Sequence, residues 1–234
     1  MVENLYDIYA KEIEKIKSNS EVYAIFLVGS AKNLDMRSTT EITSDIDIFV
    51  ITECGGAQTR ILKEVEGIEF DINYCPVELC EKLIKDGELF FIKQMSSPRV
   101  VYDREGISDE IIVNCREKYK MGPGKLSEIE INFLNHEIYS SLKKLEYIEK
   151  YEKFEYDFLT KLILKDIIMA YFKLSGRWLP KDKKMLSSLR EADISLYNMY
   201  ERAYNSCDVE GVREVYEYVF GKLDKIKYIE LKYD

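Results

Sequence analysis

Three aspartates on two short stretches carry the chemistry this sequence could perform. Asp45 and Asp47 lie in Ser44-Asp45-Ile46-Asp47-Ile48-Phe49-Val50, and Asp71 lies in Ile68-Glu69-Phe70-Asp71-Ile72-Asn73-Tyr74. Both stretches alternate apolar and polar residues. As strands they put Asp45 and Asp47 on one face and Ile46, Ile48 and Val50 on the other. Laid side by side in one sheet, the two strands gather three carboxylates on a single face. Such a cluster repels itself unless cations sit within it, which predicts a divalent metal site. An Asp-x-Asp pair alone is common in solvated turns. Asp71 adds weight, because a carboxylate flanked by apolar residues in mid-strand is costly unless something pairs with it.

Upstream, Phe26-Leu27-Val28 runs into Gly29-Ser30 and a polar loop. Taken with the aspartates, this points to nucleotidyl transfer. Two magnesium ions held by Asp45, Asp47 and Asp71 would bind triphosphate oxygens, polarise the α-phosphate and bring an acceptor hydroxyl in line with departing pyrophosphate. Gly29 would let backbone approach the β- and γ-phosphates, and Ser30 would offer a hydroxyl and a helix-start amide. Asp71 is the expected proton acceptor. Lys32 is either a triphosphate contact or a solvated loop lysine.

These residues need a sheet to hold them. Residues 3–18 repeat apolar positions at helical spacing, and strand signals follow at Val22–Val28, Asp45–Thr52 and Ile68–Cys75. Arg60–Glu66 reads equally as helix or strand. Val77–Lys85 is helical, and a short strand, Arg99–Tyr102, follows Pro98. Beyond residue 107 the pattern is helix after helix: Ser108–Tyr119, Ser127–Tyr151, Glu155–Leu174, Lys183–Arg190, Ile194–Tyr204 and Val209–Lys222. Met121-Gly122-Pro123-Gly124 is the best break. The expectation is an α+β chain: a mixed sheet of four or five strands flanked by helices over residues 1–120, then a helical bundle over residues 121–234, with ATP in the cleft between them.

Composition narrows the class. The chain has 234 residues, 46% hydrophobic, which suits one or two ordinary domains. No stretch approaches a membrane span, and the charged N-terminal segment predicts neither secretion nor insertion. The cysteines (Cys54, Cys75, Cys80, Cys115, Cys207) are odd in number and scattered, which predicts reduced thiols and a cytoplasmic protein. A net charge of −9 argues against gripping a polynucleotide and favours a small, cationic acceptor. His136, the one histidine, reads as structural. Lys161 and Lys165, a helical turn apart, face either phosphates or solvent.

Gly29-Ser30-Ala31 followed by Ser44-Asp45-Ile46-Asp47-Ile48-Phe49-Val50 resembles the signature of the polymerase β-like nucleotidyltransferase superfamily. The layout is most similar to the aminoglycoside adenylyltransferases of the streptomycin and spectinomycin type. Tyr171-Phe172-Lys173-Leu174-Ser175-Gly176 with Pro180-Lys181-Asp182 resembles a segment of their helical domain, and Glu217-Tyr218-Val219-Phe220-Gly221-Lys222 resembles their last helix. The resemblance implies magnesium on Asp45, Asp47 and Asp71, the last serving as base, and Lys181 and Tyr218 reaching ATP from the second domain. It also implies transfer of AMP from ATP to a hydroxyl of a small molecule, foremost an aminoglycoside-type antibiotic. Carboxylates such as Glu128, Glu130, Glu137, Glu155 and Asp157 are candidates for the acceptor wall. The loop from Ser30 to Asp45 is longer, and the interval from Asp47 to Asp71 shorter, than in the streptomycin enzymes. The alternatives are an antitoxin-like enzyme that transfers AMP to a partner protein and a catalytically silent nucleotide-binding module. No motif identifies the acceptor, the nucleotide preference or the oligomeric state.

Overall fold

The computed structural model describes residues 5–38, 45–53 and 55–221. Ser44, Cys54 and Lys222, named above, and the start of the helix expected over residues 3–18 lie outside the described residues. The chain divides into two compact units, Met1–Met121 and Gly122–Asp234.

The first unit opens with helix α1 (Leu5–Lys17), followed by strand β1 (Val22–Leu27), a 3₁₀ turn (Ala31–Asn33) and strands β2 (Ile46–Thr52), β3 (Thr59–Val65) and β4 (Ile68–Pro76). Helices α2 (Val77–Asp86) and α3 (Leu89–Met95), strand β5 (Arg99–Asp103) and helix α4 (Ser108–Met121) complete it. The sheet order is β3-β4-β2-β1-β5. β2 and β4 run parallel, whereas β1 pairs antiparallel with β2 and β5, and β3 antiparallel with β4. This is the mixed sheet with flanking helices that the strand signals predict.

Alternation along the strands sorts the sheet into two faces. Ile25, Leu27, Ile46, Ile48, Val50, Phe70 and Ile72 pack with Leu5, Ile8, Tyr9, Ile13 and Ile16 of α1. Ala24, Phe26, Phe49, Ile51 and Cys75 point the other way, into a core with Cys80, Leu83, Phe91, Met95, Ile111 and Cys115 from α2, α3 and α4. Burying one such side chain contributes about 1.5–3 kcal/mol, so this sorting fixes which face each aspartate must take. Asp47 and Asp71 share the face of Phe49, Ile51 and Cys75. Along it the apolar residues hold the C-terminal halves of β2 and β4, and the aspartates hold the N-terminal halves.

Two local features differ from the periodicity. Arg60–Glu66, ambiguous in sequence, is mostly strand β3, turned back into β4 through Glu66 and Gly67, both at positive φ (50° and 80°) as a type I′ hairpin requires. The single helix expected over Ser127–Tyr151 ends at Lys144 and resumes as a short 3₁₀ turn, Ile148–Lys150.

The second unit, among the described residues, contains helices α5 (Glu128–Lys144), α6 (Lys153–Leu174), α7 (Met185–Ala192), α8 (Ile194–Ser206) and α9 (Val209–Phe220). Side chains set the starts of α5, α8 and α9. Ser127 and Glu130 form a reciprocal capping box on α5, Asp193 accepts from Leu196 N–H on α8, and Asp208 accepts from Gly211 N–H at 2.7 Å on α9. The core gathers Leu142, Ile163, Leu164, Ile167, Leu189, Leu196, Val212 and Val215. No helix among the described residues is long and apolar enough to cross a membrane.

Candidate metal centre on the sheet

The parallel register sets Asp47 directly opposite Asp71. Residues paired in this way project from the same face, so neighbouring backbones bring the two carboxyl groups together without any special loop. Asp45, just before β2, joins them, and one carboxylate oxygen from each of the three lies within 4.8 Å of the others. Asp45 and Asp47 are half-buried and Asp71 is 7% exposed. Like charges at that spacing repel by about 3.5 kcal/mol per pair at an effective dielectric constant of about 20.

Gly29 shapes the same centre. It has φ +65°, and a Cβ built on it would fall 1.9 Å from Asp47 Oδ2. Only a residue without a side chain leaves Asp47 its place, so the glycine serves the carboxylate as well as the turn. The loop is tied back by Gly29 N–H donating to Gln94 Oε1 at 3.3 Å and by Val28 N–H donating to the Asp47 carbonyl at 3.0 Å.

Asp71 is held by a residue the sequence reading did not single out. Arg60 donates from Nε to Asp71 Oδ1 at 2.8 Å and from Nη2 to Oδ2 at 2.7 Å, a bidentate pair. Asn73 Nδ2 donates to Oδ1 at 3.1 Å. In the hairpin register Arg60 lies opposite Asn73, one diagonal step from Asp71 on the same face, within reach of a long side chain. The hydrogen bonds to Asp71, then its charge and those of Asp47 and Asp45, raise the guanidinium's pKa above its ordinary value. Arg60 was legible only through the two-residue turn at Glu66-Gly67, which fixes the register once Arg60–Glu66 is taken as strand.

The donor set suits a hard divalent cation. All three groups offer carboxylate oxygens, the donors magnesium and calcium prefer, and the space a Gly29 Cβ would fill is left to Asp47. Three carboxylates and one guanidinium leave the centre with an excess of negative charge.

The other residues singled out in the sequence are placed as follows. Ser30 stands exposed at the head of the three-residue 3₁₀ turn Ala31–Asn33. Lys32 Nζ donates to the Ser97 carbonyl and, at 2.6 Å, to Ser97 Oγ, bracing that turn against the segment before β5. Lys181 is exposed before the 3₁₀ turn Asp182–Lys184. Tyr218 donates to Asp193 Oδ2 at 3.1 Å, which raises its pKa. Lys165 pairs with Asp182 at 3.1 Å, and Lys161 lies 4.8 Å above the Tyr204 ring. His136 is exposed. Of the carboxylates considered for an acceptor wall, Glu130 and Glu155 belong to capping boxes and Asp157 pairs with Lys153 at 2.9 Å. A groove of about 320 Å³ lies beside Asp45 and Asp71, bordered by Leu62, Lys63, Glu64, Glu69 and Phe70.

No protein-family model matches the sequence, nor does any curated protein. Among solved structures, the chain is similar to the crystal structure of a nucleotidyltransferase-like protein from Exiguobacterium sibiricum 255-15. The TM-score is 0.50 and the identity 9%, over 91% of this chain and 74% of that one. At that identity the likeness is one of fold, and the fold is nucleotidyltransferase-like.

Proposed function

We propose that this chain is a magnesium-dependent nucleotidyltransferase that moves AMP from ATP to a hydroxyl of a small molecule and releases pyrophosphate. The observation that carries the reading is the convergence of Asp45, Asp47 and Asp71 on one face of a nucleotidyltransferase-like sheet, oxygen to oxygen within 4.8 Å. A sheet has no structural need to set Asp47 directly across from Asp71, where the charges oppose each other.

In this reading Asp45, Asp47 and Asp71 hold the metal through carboxylate oxygens. Magnesium bound there supplies charge neutralisation and Lewis-acid polarisation of the triphosphate. Asp71, the most buried of the three, takes the proton from the acceptor hydroxyl. The acceptor oxygen forms a bond to the α-phosphorus, the bond from that phosphorus to the bridging oxygen breaks, and its electron pair leaves with pyrophosphate. Gly29 and Ser30 present backbone and hydroxyl to the phosphates. Lys32, already committed to Ser97, orders the turn that carries them. Lys181 and Tyr218, of the second unit, enter as nucleotide contacts through the resemblance alone.

An aminoglycoside-type antibiotic is the leading acceptor class. The groove beside Asp45 and Asp71 carries Glu64 and Glu69 against one lysine, Lys63, on its border, an acidic excess that suits a ligand rich in amino groups. The test is pyrophosphate release from ATP and magnesium against a panel of aminoglycosides, lincosamides and metabolites. Asp47→Asn is expected to lose at least about a hundredfold in rate with its circular dichroism unchanged. Undiminished turnover in that variant would place the chemistry elsewhere.

A further inference from the structure

Both oxygens of Asp71 accept from Arg60, and Oδ1 accepts from Asn73 as well. A carboxylate oxygen has two lone pairs, so Oδ1 is fully used and Oδ2 keeps one. A metal ion seeking Asp71 therefore competes with a bidentate guanidinium. Among the described residues, Arg60 hydrogen-bonds through its side chain to Asp71 alone. Its side chain is 59% exposed, and it stands on β3, an edge strand of the sheet, where it can swing without disturbing packed residues. A guanidinium fits phosphate oxygens in the same two-pronged manner as a carboxylate.

We propose, building on the nucleotidyltransferase reading, that Arg60 is an exchangeable counter-cation of this centre. It neutralises Asp71 until a metal-bound polyphosphate arrives, then trades Asp71 for the phosphate oxygens while the metal takes its place on the carboxylate. The exchange makes uptake of metal and nucleotide mutually dependent. Metal alone must displace Arg60 into water, whereas metal with polyphosphate gives the guanidinium an anionic destination. Arg60 is a nucleotide-binding residue in this scheme, and it sets the order in which the centre fills.

The test titrates Mn²⁺ into the full chain, following free Mn²⁺ by electron paramagnetic resonance, with and without α,β-methylene-ATP, for wild type, Arg60→Gln and Arg60→Lys. Arg60→Gln is expected to bind Mn²⁺ alone about five- to tenfold more tightly than wild type, the range set by a half-exposed but bidentate pair. The nucleotide analogue is expected to tighten Mn²⁺ binding much more in wild type than in Arg60→Gln, as reciprocity between the two ligands demands. Arg60→Lys, which keeps the charge and loses the fork, is expected between them. Equal Mn²⁺ affinity in wild type and Arg60→Gln, with both folded by circular dichroism, overturns the exchange and leaves the metal centre standing. Absence of Mn²⁺ binding in every chain, with or without the analogue, overturns the metal centre and the exchange together. Should Arg60→Gln not fold, Arg60→Lys carries the comparison, and unaltered coupling in that variant overturns the proposal.

Discussion

Replacing Gly29 by alanine separates two costs that the structure allows to be worked out. The first is conformational: at φ +65° an L-residue is disfavoured by about 1–2 kcal/mol relative to glycine. The second is collision. The new Cβ would lie 1.9 Å from Asp47 Oδ2, where ordinary contact begins at 3.4 Å, so the carboxylate must retreat by the difference, about 1.5 Å. The clash takes in Oδ2 and, at 2.9 Å, Cγ, with Asp47 Cβ tight at 3.2 Å, so the carboxyl group must turn away from its preferred χ angles, costing about 0.5–1.5 kcal/mol. The expected loss of stability is about 1.5–3.5 kcal/mol in all. The functional loss should be far larger, because about 1 Å of misplacement at a reacting centre costs on the order of a hundredfold. Gly106→Ala is the matched control: its φ is +69° and a Cβ there meets nothing within 4 Å. Urea unfolding should show the conformational cost in both variants, whereas Mn²⁺ affinity and pyrophosphate release should fall only in Gly29→Ala. If Gly29→Ala retains both, Asp47 is not used as described. If the two variants lose activity alike, backbone strain and not the displaced carboxylate is responsible.

Two further predictions concern the helical unit. Asp208 caps α9, and hydrogen bonds from the Ser206 side chain and then the Gly211 amide hold its pKa below the ordinary 3.8. A lowered folded-state pKa means its contribution is complete above the unfolded value and disappears as pH falls through the folded one. Asp208→Ala should therefore cost about 1 kcal/mol in urea unfolding at pH 7, with the gap to wild type narrowing below about pH 4. A gap that is constant with pH would show that the ionised form is not what caps the helix. Tyr216, buried in the helical core, donates its hydroxyl to Asn135 Oδ1, and Asn135 is 5% exposed. Tyr216→Phe leaves that amide oxygen without its donor and should lower stability by about 1–3 kcal/mol, read as a lower urea midpoint at unchanged slope. No change in midpoint would mean that water or a rotated amide restores the bond.

The alternation of Asp45-Ile46-Asp47-Ile48 and Phe70-Asp71-Ile72 was enough to assign every aspartate to a face, because strand geometry has period two and a buried face tolerates no slip. The Gly-Pro-Gly break near residue 122 and the helical periods beyond it were equally legible. Sequence could not supply register. Parallel pairing of β2 with β4 is a long-range choice made by two cores, one under α1 and one under α2, α3 and α4, and it alone sets Asp47 against Asp71. Arg60 was hidden for the same reason. Its segment has no decisive period, and only the hairpin through Glu66-Gly67, docked on β4, delivers its guanidinium to Asp71. Local pattern says which way a side chain faces; packing of distant segments decides which side chain it meets.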